Sequence, residues 1–70
     1  MDLKHQKITV GELMDDPRSR AVFQRRFGHL MNNPMVRAGR SLTLEQLVAL
    51  ASTRLPAQVI RDTLEELRQA

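Results

Sequence analysis

The chain has 70 residues, 27% of them charged and 3% aromatic, with eleven Lys and Arg against eight Asp and Glu and a formal net charge of +3. That length allows one domain, and a chain of this size buries only about 60% of the surface its unfolded form exposes, so its core is small. Cysteine is absent, which excludes disulfides, thiolate catalysis and cysteine-based zinc or iron–sulfur sites and leaves packing or a partner surface to supply stability.

Residues 1–7 are polar and unpatterned and are expected to form a disordered N-terminal segment, with one helical domain over 8–70. They lack the apolar stretch of a signal peptide, and no apolar run approaches the length of a membrane span. A cytoplasmic location is therefore expected, unless the chain is excised from a secreted protein, and no membrane partner. Ordered structure is expected from Ile8-Thr9-Val10-Gly11-Glu12-Leu13, where Thr9 can accept the amide of Glu12 while Glu12 reaches back to the amide of Thr9. Ile8 and Leu13 have the spacing of a hydrophobic staple, and the first helix runs from Val10 to about Asp15, burying Val10, Leu13 and Met14. Asp16-Pro17 supplies a capping carboxylate and a proline at the first helical position of a second helix. Phe23, Phe27 and Leu30 lie on one face of it beside Val22, and Gly28 is expected to end it in a left-handed cap. Asn33-Pro34 repeats the device for a third short helix, Met35 to about Arg40. Leu42-Thr43-Leu44-Glu45-Gln46-Leu47 repeats the opening phrase and starts a fourth, with Leu44, Leu47, Val48 and Ala51 as its apolar stripe. Leu55-Pro56 introduces the last helix, with Val59, Ile60, Thr63, Leu64 and Leu67 inward and Glu65 paired to Arg61 and Arg68 on the outer face. No segment alternates as a strand does. The predicted fold is all-α, a compact orthogonal bundle of four to five short helices.

Thr9-Val10-Gly11-Glu12-Leu13-Met14, Asp16-Pro17, Ala21-Val22-Phe23, Asn33-Pro34-Met35-Val36 and Leu42 to Leu47 together resemble a small helical domain appended to the C-terminus of some bacterial glycosidases and other hydrolases. That likeness spans about Ile8 to Leu67. More loosely, the opening threonine phrase and the Phe27-Gly28 turn are similar to short helical domains associated with iron-centre repair and hybrid-cluster proteins. Those domains often carry cysteines after the turn, where this chain has His29, Leu30, Met31, Asn32 and Asn33. The resemblance implies a helical fold and an accessory, protein-contacting role, with no catalytic residue carried over.

The acid–base candidates His5, His29, Asp15, Asp16, Glu45, Asp62, Glu65 and Glu66 form no nucleophile–base or ligand spacing, so no catalytic, cofactor or metal site is expected and the chain reads as a non-enzyme. The stretch from Pro17 to Leu44 is basic, with no acidic side chain. Arg18, Arg25, Arg26, Arg37 and Arg40 are the phosphate-contact candidates, because a guanidinium fork grips two oxygens of a phosphate. Single-strand readers also need exposed aromatics, and Phe23 and Phe27 both fall on the apolar face. Leu50 lies off the stripe of the fourth helix, and with Met35, Val36 and Leu55 it forms the candidate partner-binding patch. Met14, Met31 and Met35 add flexible thioethers near the turns. The expected function is thus a protein-interaction or accessory domain with an apolar patch rimmed by arginine, its partner a second copy or a parent hydrolase domain. The alternative is a small basic nucleic-acid-binding protein that uses residues 18–40 on phosphates.

Overall fold

Both threonine phrases start helices by the chemistry their residues offer. In the computed structural model, which describes residues 1–28 and 34–70, Thr9 Oγ1 accepts the Glu12 amide at 3.1 Å and Glu12 Oε2 accepts the Thr9 amide at 3.2 Å. Thr43 and Gln46 make the same reciprocal pair at 3.2 and 3.0 Å. Two capping boxes thus open α1 (Val10–Asp15) and α4 (Leu44–Ala51). The phrases also pair with each other. The Val10 amide donates to the Leu42 carbonyl at 2.7 Å and the Leu44 amide to the Ile8 carbonyl at 2.8 Å, an antiparallel bridge centred on Thr9 and Thr43. The first amide of each helix, an orphan in an isolated helix, therefore finds its acceptor in the other phrase.

Between them run α2 (Pro17–Phe27), α3 (Pro34–Ala38) and a 3-10 turn (Gly39–Ser41), and α5 (Ala57–Gln69) closes the chain. Asp16 Oδ1 accepts the Arg18 amide at 2.8 Å, so α2 begins on its cap and proline as expected. Ser19, fully buried one turn into α2, donates its hydroxyl to the Leu13 carbonyl and ties α2 to the end of α1. The core is built from Leu3, Ile8, Leu13, Val22, Phe23, Leu44 and Leu67. Leu13, Val22, Phe23, Leu44 and Leu67 come from α1, α2, α4 and α5, and Leu3 and Ile8 from the segment before α1, so among the described residues five short helices and no strand enclose one small core.

Four expectations are corrected. The opening residues are not frayed: Leu3 is 6% exposed and belongs to the core. Lys4, His5 and Gln6 all take positive φ, 53°, 56° and 67°. This left-handed turn costs roughly 1–2 kcal/mol per residue. It is held by Asp2, which accepts the Lys4 amide, and by the Leu3 carbonyl, which accepts the Gln6 amide. Gly28 ends α2 with φ −51° and ψ −39°, right-handed rather than left-handed. The third helix stops at Ala38 and tightens into a 3-10 turn, in which Leu42 N–H bonds the Gly39 carbonyl. On α5, Glu65 bonds Arg68 and Gln69, while Arg61 turns to Gln58. The predicted roles of His29, Leu30, Met31 and Asn33 lie outside the described residues. No helix among the described residues is long and apolar enough to cross a membrane.

Thr9→Ala and Thr43→Ala should each lower stability by about 0.5–2 kcal/mol in chemical denaturation, the usual cost of losing such a cap. Gly28→Ala should raise it by roughly 0.4–1 kcal/mol, because the position needs no positive φ and a Cβ there meets nothing within 4 Å among the described residues.

Candidate functional site

Between Pro17 and Leu44 the chain has no carboxylate of its own, yet folding brings three to its arginines. Glu66, from α5, receives Arg25 and, at 2.6 Å, Arg26, tying α2 to α5. Asp15, at the end of α1, is held by Arg40 Nη2 at 3.0 and 3.1 Å. Asp16 lies 4.0 Å from Arg18 Nε. Four of the five phosphate-contact candidates are therefore paired inside the molecule. The hydrogen bond from Arg26 is the main cause that lowers the Glu66 carboxyl below its ordinary range; partial burial opposes the shift, and Arg25 reinforces it. The same bond raises the Arg26 guanidinium, whose buried Nε has no partner among the described residues.

Two concave surfaces flank this ion network. The first is an open, shallow apolar cleft of about 60 Å³ where α2, α4 and α5 meet. Its walls include Phe27, Leu47, Val48, Leu55, Ile60 and Leu64, all half-buried. They remain so because α4 spans only eight residues and Pro56 redirects the chain before it can cover them. The second concavity, about 280 Å³, lies at the junction of α1, α2 and α3 and is lined by Met14, Asp15, Arg20, Gln24, Arg37 and Arg40, with Val36 beside them. Glycine at residue 11 lets Arg40 lie close over α1: a Cβ there would sit 3.2 Å from the Arg40 carbonyl oxygen and 3.4 Å from its Nη2, a tight contact that would push the turn outward by a few tenths of an ångström.

The predicted partner residues are dispersed over these surfaces. Leu55 lines the apolar cleft and Val36 the second concavity. Leu50 is 61% exposed, as its position off the stripe implies, and lines neither. Met35 lies on α3, and its side chain is not among those described. Of the arginine candidates, Arg37 and Arg40 come together, and they are joined by Arg20, which sequence reasoning left out. Glu66 was equally missed as the acceptor for Arg25 and Arg26. Its signal was faint: it stands opposite Arg61 and Arg68 among α5's exposed charges, and only the α2–α5 packing selects it. Among the described residues no three His, Asp or Glu side chains gather in an arrangement that could hold a metal ion. No protein-family model, curated protein or solved structure matches the chain.

The Glu66 carboxyl is depressed in the folded state, so its contribution to stability is complete above its ordinary value of 4.5 and is lost as pH falls through the lower folded value. Denaturant midpoints should therefore fall as pH drops from about 5 towards about 3, and Glu66→Gln should show a smaller fall, the remainder coming from groups such as Glu65.

Proposed function

We propose that this chain is a non-catalytic protein-interaction or accessory domain that presents an apolar surface, with arginine beside it, to a second copy of itself or to a parent hydrolase domain. The observation that carries the reading is the open cleft between α2, α4 and α5, whose half-buried Leu47, Val48, Leu55 and Leu64 keep apolar area in water that a partner would cover. Each apolar Å² removed from solvent contributes about 25 cal/mol, a large supplement for a domain whose own core is so small. Arg25 and Arg26, held by Glu66, precede the Phe27 wall in sequence and supply polar groups of the kind found around apolar interface centres.

The nucleic-acid alternative has less support. Phosphate binding by Arg18, Arg25, Arg26 or Arg40 would require each to leave a carboxylate it already contacts. The two phenylalanines, which would have to stack on bases, belong to the core and the cleft wall.

Backbone amide spectra recorded over a hundredfold range of protein concentration test the reading. Amides around Leu47, Val48 and Leu55 should shift with concentration, and Leu55→Asp should weaken the association by about tenfold or more while leaving the helical content intact. Unshifted spectra in that range, together with salt-sensitive binding of a short DNA duplex that shifts the amides of residues 18–26, would overturn it in favour of nucleic acid.

A further inference from the structure

We infer that the concavity at the junction of α1, α2 and α3 binds the carboxylates of an acidic, partly apolar peptide segment. The basis is an imbalance of charge confined to one open concavity. Three guanidiniums, of Arg20 on α2, Arg37 on α3 and Arg40 on the following turn, share the space with one carboxylate, Asp15. Asp15 is already engaged through both oxygens by Arg40. Among the described residues Arg20 and Arg37 are ion-paired with no carboxylate, whereas Arg18, Arg25 and Arg26, on α2 with Arg20, all are. The concavity therefore holds two positive charges from two different helices that no carboxylate among the described residues compensates, and the side chains of a partner segment can engage both.

Its other walls narrow the ligand class. Gln24, one turn from Arg20 on α2, adds an uncharged amide that can donate or accept. Met14 and Val36 supply apolar surface suited to an aliphatic stem or a neighbouring leucine. A volume of about 280 Å³ is near the lower end of ligand pockets and suits a few side chains. Carboxylates are favoured over phosphate because Asp15 lines the same space and its charge opposes a dense dianion more strongly than it opposes a monoanion. The site is separate from the apolar cleft, and its occupancy does not depend on the cleft's role.

The test is an amide-shift titration at low salt with a blocked hexapeptide of alternating Glu and Leu, its Gln-for-Glu analogue, inorganic phosphate and a short DNA duplex. The Glu peptide should shift the amides of Asp15, Arg20, Gln24, Arg37 and Arg40, and the Gln analogue should bind at least about tenfold more weakly. Arg20→Gln and Arg37→Gln, both at exposed positions, should each weaken binding severalfold, and together abolish it, with unchanged denaturation midpoints. Peptide binding that persists in the double variant overturns the site, and so do shifts that map to Leu47, Val48 and Leu55 instead, though the latter would leave the apolar-cleft reading standing. Phosphate binding as tight as the peptide's, or tighter binding by the duplex, overturns the carboxylate assignment.

Discussion

The pair of backbone hydrogen bonds between Ile8–Val10 and Leu42–Leu44 is the constraint on which the rest of the fold depends. A six-residue helix such as α1 is far below the length at which a helix persists alone in water, so its start must be fixed from outside. The bridge fixes it twice over: the threonine caps the third amide and the partner phrase takes the first. The same bonds do this for α4 in return. Because the two helix starts are tied at one point, Ile8, Leu13 and Leu44 are delivered to a common core from segments more than thirty residues apart in sequence. Removing either phrase would leave the other with an unsatisfied amide and its helix without a fixed direction.

Both concave surfaces follow from that anchoring. With α1 and α4 joined at their N-termini, the 3-10 turn before Thr43 must lie across α1, and glycine at position 11 is what lets the Arg40 backbone come so close. Arg40 then reaches Asp15, and Arg37, one turn earlier, is carried to the mouth of the space in front of α2. On the other side, α5 returns to pack on α2, where Leu67 is fully buried and Glu66 beside it meets Arg25 and Arg26. That ion pair is half-exposed and salt-screened, and its value lies more in setting the rotation of α5 about its axis than in net stability. The rotation determines which apolar residues of α5 reach the core and which, like Ile60 and Leu64, are left at the cleft.

Local chemistry was legible in the sequence wherever a few adjacent residues decide the outcome. Both capping boxes, the Asp16-Pro17 start of α2, the stripe of α4 and the exposure of Leu50 all depend on spacing within one or two turns. The bridge between the two phrases was not legible, although its parts were in view: the two copies of the pattern do the same task opposite each other, each capping its own helix and accepting the first amide of the other. Leu3 was missed because a single leucine among polar residues carries no period, and its burial requires three consecutive residues in a conformation that propensity disfavours. Gly28 was misread because glycine after a helix usually marks a left-handed cap, while here the backbone stays right-handed. Electrostatics was the least legible level. The basic stretch looked unopposed because its counter-charges sit at either end of the chain's order, Asp15 and Asp16 just before it and Glu66 forty residues after Arg26.

That separation in sequence explains why an arginine-rich segment need not be a phosphate-binding one. A run of cations in an unfolded chain has a high local charge density, and a fold can either preserve the run along one open face or divide it. This fold divides it: α2 rotates Arg25 and Arg26 towards α5 and Arg20 towards α3, because Phe23 must face the core and residues two or three positions away then diverge around the helix. Arginines of the run that meet a carboxylate tie the chain to itself, and among the described residues those that meet none are Arg20 and Arg37. The apolar surface is partitioned by the same geometry, with Phe23 taken by the core and Phe27 left at the cleft. The remainder of the packing is thus one apolar cleft and one cationic hollow on neighbouring faces of α2, and the helix starts at Thr9 and Thr43 determine where both fall.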